Sequence, residues 1–300
     1  MAIFLLGLRL LTNVLETVLG FRLHTALNRF TASRAQSFLV GFAVTAFIQS
    51  SSAVGAAMVV LTDTGVLSLT QALGVMLGAN VGTTITAQII ALPLEDMALP
   101  LCAAGLAVRF FFRRRRAGAA IFSLGAIFFG LSCAAHSLAP LLELPAVYAV
   151  LAVGTKTSCR AVLCGLVLTA VVQSSSTVTG LVIALVREGI LSVPAAIAMA
   201  LGSNVGTVAT TIVASLGRKR ASRATACADL FFNLGGLLLV LPVFPLFMHL
   251  IAHLSSDPGR QVAHAHTFFN AFTALLALPF LEHLAALAWW GAGIGARTKN

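Results

Sequence analysis

Gln49-Ser50-Ser51-Ser52 recurs as Gln173-Ser174-Ser175-Ser176, and Gly78-Ala79-Asn80-Val81-Gly82-Thr83 recurs as Gly202-Ser203-Asn204-Val205-Gly206-Thr207. Both recurrences have an offset of 124 residues (173 − 49 and 204 − 80). Gly41 and Gly165, Thr45 and Thr169, and Gly65 and Gly189 keep the same offset. Self-similarity at one fixed spacing marks two copies of one structural unit. The motifs also share a setting, because each lies in the middle of a long apolar run. Residues 35–62 centre on Ile48 and Gln49, and residues 161–186 on Gln173 and Ser174. Residues 64–94 centre on Ala79, beside Asn80, and residues 189–217 on Ser203, beside Asn204.

These four runs, with residues 117–142, 230–256 and 261–281, contain no Asp, Glu, Lys or Arg. Each exceeds the roughly 18–20 apolar residues that span a bilayer as a helix. Only 9% of the 300 residues are charged and 59% are apolar, against about 25% charged in soluble domains, so a water-soluble fold is excluded. No stretch shows the period-two alternation of about ten residues that a transmembrane β-barrel needs. The sequence therefore predicts an all-α polytopic membrane protein with no soluble domain. Its first repeat covers 1–116, and its second covers 117–300 with additional C-terminal helices. Met1 to Gly20 lacks the basic start of a secretory signal and carries Arg9 and Glu16, so it reads as part of the mature chain.

Flanking charges orient the copies. The run ending at Leu94 meets Glu95-Asp96, whereas its counterpart ends at Gly217 and meets Arg218-Lys219-Arg220. Basic loops face the cytoplasm, so equivalent ends are expected on opposite membrane faces. Inverted repeats of this kind frame a midplane site in secondary transporters. Ala98–Phe112 is expected to bring the chain back to the Arg113–Arg116 side. The formal charge of +10 is concentrated in these loops rather than on a folded basic face, so the clusters read as orientation markers and nucleic acid is not an expected partner.

Three consecutive hydroxyls cannot share one helix face at about 100° per residue, and at membrane depth they would be poor neighbours for lipid. Each Gln-Ser-Ser-Ser run is therefore expected to break its helix. It then forms a re-entrant hairpin, over about 35–62 and about 161–186, with the motif at the tip. Broken helices present backbone N–H groups at one end and carbonyls at the other, which suits an anion and a small cation together. Serine hydroxyls serve either ion, and the Asn and Gln amides are equally two-sided. The cargo expected from these residues is a small polyoxygenated anion with a monovalent cation. The bland alternative is interhelical glue of small and hydroxylated residues, which the matched, centred copies outweigh.

No catalytic motif competes, and the five cysteines lack a C-x-x-C pair and read as packing residues. Two further elements match each other: Asp229-Leu230-Phe231-Phe232-Asn233 and His266-Thr267-Phe268-Phe269-Asn270, each Asn followed nine residues later by a proline, Pro242 and Pro279. Asp229, Asn233, His266 and Asn270 are accessory candidates. Because Asp229 and His266 lie near the ends of charge-free runs, a solvated boundary position is as consistent with the sequence as a site position.

At these residues the sequence resembles the type II sodium-dependent phosphate cotransporter family and its bacterial members. Phe4-Leu5-Leu6-Gly7-Leu8, Thr45-Ala46-Phe47-Ile48 leading into Gln49, and Leu278-Pro279-Phe280 extend the likeness over nearly the whole chain. The resemblance implies sodium-coupled symport of inorganic phosphate across the cytoplasmic (inner) membrane by alternating access. Sodium would serve as the coupling ion, with no cofactor. It assigns phosphate to Gln49, Ser50, Ser51, Ser52, Gln173, Ser174, Ser175, Ser176 and Thr177. It assigns sodium to Gln49, Ser52, Asn80, Thr83, Gln173, Ser176, Asn204 and Thr207. The chain ends at Asn300 without the PhoU-like regulatory domain of many bacterial relatives, so a separate PhoU-like regulator is the implied partner. The bilayer and a second copy of the chain are the others. Ala120 stands where animal members carry an acid associated with an extra sodium, which points to electroneutral transport. A carrier of another small oxyanion or carboxylate, and a non-transporting membrane sensor, are the alternative functions.

Overall fold

A computed structural model describes residues 31, 33–92, 97–142 and 157–294 with positions 3, 6, 7 and 10, and shows no strand among them. Helix α1, Arg34–Ile48, starts in a capping box: Ser33 Oγ accepts from the Gln36 N–H, and the Ser33 N–H donates back to Gln36 Oε1, both at 3.2 Å. It stops at Gln49, whose left-handed backbone (φ 56°) is costly for a residue with a Cβ. Ser50 is extended and caps α2, Ser51–Asp63, its Oγ accepting from the Ala53 N–H at 3.2 Å. The second copy repeats each step. Helix α7 is Ser158–Val172, Gln173 has φ 58°, and Ser174 caps α8, Ser175–Arg187, by accepting from the Thr177 N–H at 3.3 Å. Both ends of all four helices match at the 124-residue offset (158 − 34, 172 − 48, 175 − 51 and 187 − 63).

Gly65 and Gly189, with φ near 75° and 70°, then turn the chain into the next helices. In the first copy that helix is in two pieces, α3 (Leu69–Gly82) and α4 (Thr84–Ile90), whereas in the second α9 runs unbroken from Val193 to Ser215. A single G-x-N-x-G-T helix per copy is the sequence expectation, and the first copy keeps to it except for an irregular turn at Thr83, whose backbone stays helical (φ −65°, ψ −22°) and whose N–H still reaches the Ala79 carbonyl at 3.0 Å. Thr84 Oγ1 donates to the Val81 carbonyl at 2.7 Å, competing with the helical ladder. The equivalent residue is Val208, which has no hydroxyl.

Helix α1 lies on α3, and α7 lies on α9. Glycines make both contacts close. A Cβ on Gly41 or Gly78 would run into the carbonyl of Val75 or Phe38, and one on Gly165 or Gly202 into that of Met199 or Val162. The second arms cross between the copies: α2 packs on α3 but also on α9, and α8 packs on α9 but also on α4. Between the copies, α5 (Ala98–Phe110) and α6 (Arg115–Leu142) form a pair. At 1.5 Å per residue, α5 is about 20 Å long.

The matched Asn elements lie on matched helices. Helix α10 (Arg220–Val240) passes through a 3₁₀ turn at Leu241–Val243 into α11 (Phe244–Ala252). Helix α12 (Pro258–Ala277) passes through one at Leu278–Phe280 into α13 (Leu281–Ile294). Pro242 and Pro279 remove the hydrogen bond that would hold each helix straight. Arg34 fixes the second bend to the start of α1, donating to the Pro279 carbonyl at 2.7 Å and pairing with Glu282.

Among the described residues, four stretches are long and apolar enough to cross a membrane: Leu69–Ile90, Val193–Ser215, Arg220–Ala252 and Pro258–Gly293. Over an 18-residue apolar window in each, 72% of the residues are buried in the first two, and 33% and 28% in the last two. The G-x-N-x-G helices are therefore central and the proline-bent helices peripheral.

The outer ends of the second arms are anchored by opposite charges at equivalent positions. Asp63 ends α2 and accepts from Ser222 Oγ at 2.7 Å and the Lys219 N–H at 2.9 Å, with Arg218 Nη1 at 3.7 Å. Arg187 ends α8 and donates to the Ala91 carbonyl at 2.6 Å, with Asp257 at 3.3 Å. The Ser222 hydrogen bond, helped by the Lys219 N–H and the nearby cations, holds the Asp63 carboxyl below its usual range. The anchoring is present above the unfolded-state pKa of about 3.9 and is lost as pH falls through the lower folded value. In thermal unfolding of the purified protein, the stability margin of wild type over Asp63→Asn is expected to be full near neutral pH. It should shrink toward zero on acidification below about pH 4. A margin independent of pH would contradict the ionic anchoring.

Candidate functional site

The helix breaks bring polar groups from both copies together. Ser52 Oγ, at the first tip, donates to the Gln173 carbonyl of the second tip at 3.1 Å. That carbonyl is available because the chain leaves the helix at Gln173. Thr83, at the α3–α4 break, hydrogen-bonds through Oγ1 with Ser176 Oγ at 3.0 Å. Each bond joins one copy to the other.

Around these links lie two polar clusters. The first is a small cavity enclosed by Ser51, Ser52, Asn80, Thr207, Asp229 and Asn233, with Thr211 on its wall. Asn80 Nδ2 donates to Asn233 Oδ1 at 3.2 Å. Asn233 Nδ2 donates to Asp229 Oδ1 at 2.9 Å, and Thr211 Oγ1 donates to Asp229 Oδ2 at 2.8 Å. A sphere of water's radius can place its centre in only about 10 Å³ of this space, roughly the least that houses one water.

The second cluster is made of equivalent residues. His266 Nε2 pairs with Asn204 Oδ1 at 3.1 Å, whereas Asn80 is met by Asn233, the counterpart of Asn270. Asn270 Nδ2 donates to the His266 carbonyl at 2.8 Å, as Asn233 Nδ2 does to that of Asp229 at 2.9 Å. Asn204 Nδ2, His266 Nδ1, Asn270 Oδ1 and Thr179 Oγ1 are buried with no protein partner among the described residues. Buried polar atoms are rarely left so, and unpartnered groups gathered on packed helices mark a place prepared for a ligand or water.

Several expectations are refined here. Asp229 and His266 are 7% and 0% exposed, which rules out a solvated boundary position. The helices begin at Arg220 and Pro258, ten and three residues before the charge-free runs, so both residues fall in helix interiors. Ser51, Ser52, Asn80, Thr207, Asp229 and Asn233 are brought together, as are Ser176 with Thr83 and Asn204 with His266. Ser50 and Ser174 have their Oγ atoms engaged in capping, and Thr177 Oγ1 donates to Ser174 Oγ at 2.8 Å. Ser175 is buried in the first turn of α8. Gln49 Oε1 is buried and unpartnered, whereas the Gln173 residue is exposed and contributes its backbone to the first tip. Thr211 was missed by sequence reasoning. The available signal was its place one turn beyond Thr207, on the same helix face.

Broken helices, two-sided polar side chains and cross-copy hydrogen bonds inside an apolar helical bundle define a helical membrane protein built around a buried polar centre. The chain belongs to the Na+/Pi-cotransporter family, whose sequence profile matches residues 3–136 and 142–281. It is thus a member of a transporter family, and the relatives support a phosphate transporter. Uncharacterized protein YqeW of Bacillus subtilis is 34% identical over 280 residues, covering 92% of this chain and 91% of that one. A protein of Escherichia coli provisionally named as inorganic phosphate export protein YjbB is 28% identical over 289 residues, 95% of this chain and 53% of that one. Sodium-dependent phosphate transport protein 2A of Rattus norvegicus is 33% identical over 144 residues, 46% of this chain and 22% of that one. This chain therefore spans nearly the whole Bacillus relative and about half the length of the Escherichia one. No solved structure matches it significantly.

Proposed function

We propose that this protein is a sodium-coupled phosphate symporter of the cytoplasmic membrane, working by alternating access. In this reading residues 1–116 and 117–300 are inverted repeats, and α1–α2 and α7–α8 are re-entrant hairpins whose tips share a central site. The observation that carries the reading is the contact between the tips, Ser52 Oγ on the Gln173 carbonyl at 3.1 Å. With the Thr83–Ser176 bond, it ties each copy to the other at the positions where the helices are broken.

Phosphate is held by hydroxyls and amides at the tips, Gln49 and Ser50 to Ser52 from one side and Gln173 to Thr177 from the other. Sodium is held by oxygens of the same region, including Asn80, Thr83, Asn204 and Thr207. Asp229, Asn233, His266 and Asn270 support the site from the bent helices. Taking both ions together avoids burying either charge alone in a low-dielectric interior. The occluded state they stabilise reopens to either face, so coupling is a difference in affinity between states. Net flux follows the gradients, which accommodates a relative named for export. The same residues would serve another small oxyanion, which competition against labelled phosphate would reveal. A regulatory PhoU-like protein and a second copy of the chain are proposed partners.

The test is uptake of labelled phosphate into proteoliposomes under an inward sodium gradient, compared with an equal potassium gradient. Uptake driven by sodium is expected. Uptake indifferent to sodium would overturn the coupling, and no phosphate flux from folded protein would overturn the substrate.

A further inference from the structure

The turn between α5 and α6 reads Arg109-Phe110-Phe111-Phe112-Arg113-Arg114-Arg115-Arg116. The three rings are 68%, 86% and 72% exposed, and all five arginines are exposed with them. None of these arginine side chains makes a hydrogen bond, an ion pair or a ring contact among the described residues. Residues 97–142 contain no Asp or Glu, so the hairpin carries five positive charges with nothing of its own to offset them. Helix α6 opens at Arg115, and the unpaired N–H groups of a first helical turn add positive character at the same place.

The other basic cluster supplies a contrast. Arg218 Nε donates to the Ala214 carbonyl at 2.8 Å, Lys219 Nζ to the Asp63 carbonyl at 3.4 Å, and Arg220 Nη2 to the Trp289 carbonyl at 2.8 Å. Those charges tie the chain to itself, whereas the charges of the α5–α6 turn face outward. Their scaffold is nevertheless fixed. A Cβ on Gly105 would strike the Phe122 N, and one on Gly118 the Arg109 N. Arg113 closes the turn in the left-handed region (φ 52°), and the Arg114 N–H donates to the Val108 carbonyl at 3.3 Å. A rigid hairpin that presents unpaired arginines is suited to an external partner.

Position in the membrane selects that partner. Glu95-Asp96 precede α5 and belong outside the hydrocarbon. From there α5, Ala98–Phe110, advances about 20 Å, short of the roughly 30 Å core. The exposed rings then end in the hydrocarbon of the far leaflet, with the arginines directly behind them at the depth of headgroups drawn inward by a short span. Arginine grips phosphate through two parallel N–H donors, and phospholipid headgroups carry that phosphate. A free anion would gain nothing from three adjacent apolar rings. Five uncompensated charges favour lipids of net negative charge.

We infer that the Phe110–Arg116 turn is a binding site for anionic phospholipids, with the rings seated among the acyl chains and the arginines on the headgroup phosphates. This inference requires the chain to lie in a bilayer and is independent of what the chain transports.

The experiment places a fluorophore at the turn. Phe111→Trp is made in a full chain whose two native tryptophans are replaced, Trp289→Phe and Trp290→Phe. The protein is reconstituted in phosphatidylcholine vesicles containing brominated phosphatidylglycerol or, at the same mole fraction, brominated phosphatidylcholine, bromine being a contact-range quencher of the indole. Brominated phosphatidylglycerol is expected to quench as though enriched about fivefold or more at the turn, the factor carried by about one arginine at an anionic surface. Arg113→Gln, Arg114→Gln, Arg115→Gln and Arg116→Gln together should bring that enrichment close to one. Should the fourfold variant fail to fold, the starting protein in about 1 M salt gives a second reading, because screening there shortens to about 3 Å and the enrichment should fall at least about twofold. Equal quenching by the two lipids, an enrichment that survives loss of the four arginines or an enrichment unchanged by salt overturns the inference. Absence of quenching by either lipid would put the turn outside the bilayer and overturn it as well. Emission that shifts on adding inorganic phosphate while the two lipids quench equally would assign the cluster to the free anion instead.

Discussion

Gly202→Val is expected to prevent α7 and α9 from packing and to leave little folded protein. A Cβ at this position would strike the Val162 carbonyl and stand 2.9 Å from the Val162 Cα. The obstacle is backbone, so no rotamer change relieves it. The helices would have to separate, which opens voids along the whole seam that Gly165, Gly202 and Gly206 keep tight. In a membrane such close contact is itself a main source of helix association. We expect destabilisation of about 3 kcal/mol or more, read as loss of the monodisperse species or a large drop in melting temperature. Gly235 has open space around it, and Gly235→Ala in the same helical setting should be neutral or slightly stabilising. Equal behaviour of the two variants would contradict the packing account.

Gln49→Ala should produce the second large effect, on transport and not on folding. Gln49 holds a left-handed backbone at the break, and its Oε1 is buried without a protein partner. Alanine retains that backbone at a cost similar to that of glutamine, so the hairpin is expected to persist. What disappears is a buried amide oxygen left without a protein partner at the helix break, worth about 1–3 kcal/mol where it meets a ligand. Phosphate uptake at subsaturating concentration should therefore fall roughly 5- to 150-fold, with melting temperature little changed. Gln173→Ala should cost less, because that residue is exposed and serves the first tip through its backbone carbonyl. If Gln173→Ala proves the more damaging of the two, the two tips do not have the unequal roles seen here.

The duplicated motifs disclose the helix breaks because their cause is local. Three hydroxyls in succession, with a residue that leaves the helix before them, interrupt any apolar helix, and both copies do so at the same step. The close glycine seams and the proline bends are legible for the same reason. Other features depend on partners distant in sequence. Nothing local says that Ser50 and Ser174 use their Oγ atoms as caps while Ser52 reaches across to the other copy. The irregular turn at Thr83 is accompanied by one hydroxyl, Thr84, that the second copy lacks. Asp229 looks like a boundary residue because it immediately precedes the charge-free run of residues 230–256. Helix α10 in fact begins at Arg220 and carries its basic first turn outside the apolar stretch. Thr211 acquires a role only when Asp229, eighteen residues away, turns toward it.

The central claim is that one site between the two tips opens alternately to the two membrane faces. It is tested most directly by labelling Ser52→Cys, in a background with the five native cysteines replaced, using a membrane-impermeant thiol reagent applied from either side of oriented vesicles. The account predicts labelling from both sides in separate experiments, with sodium and phosphate together protecting the thiol more than either does alone. Labelling confined to one side under every ionic condition, or unaffected by the two ions together, would contradict it.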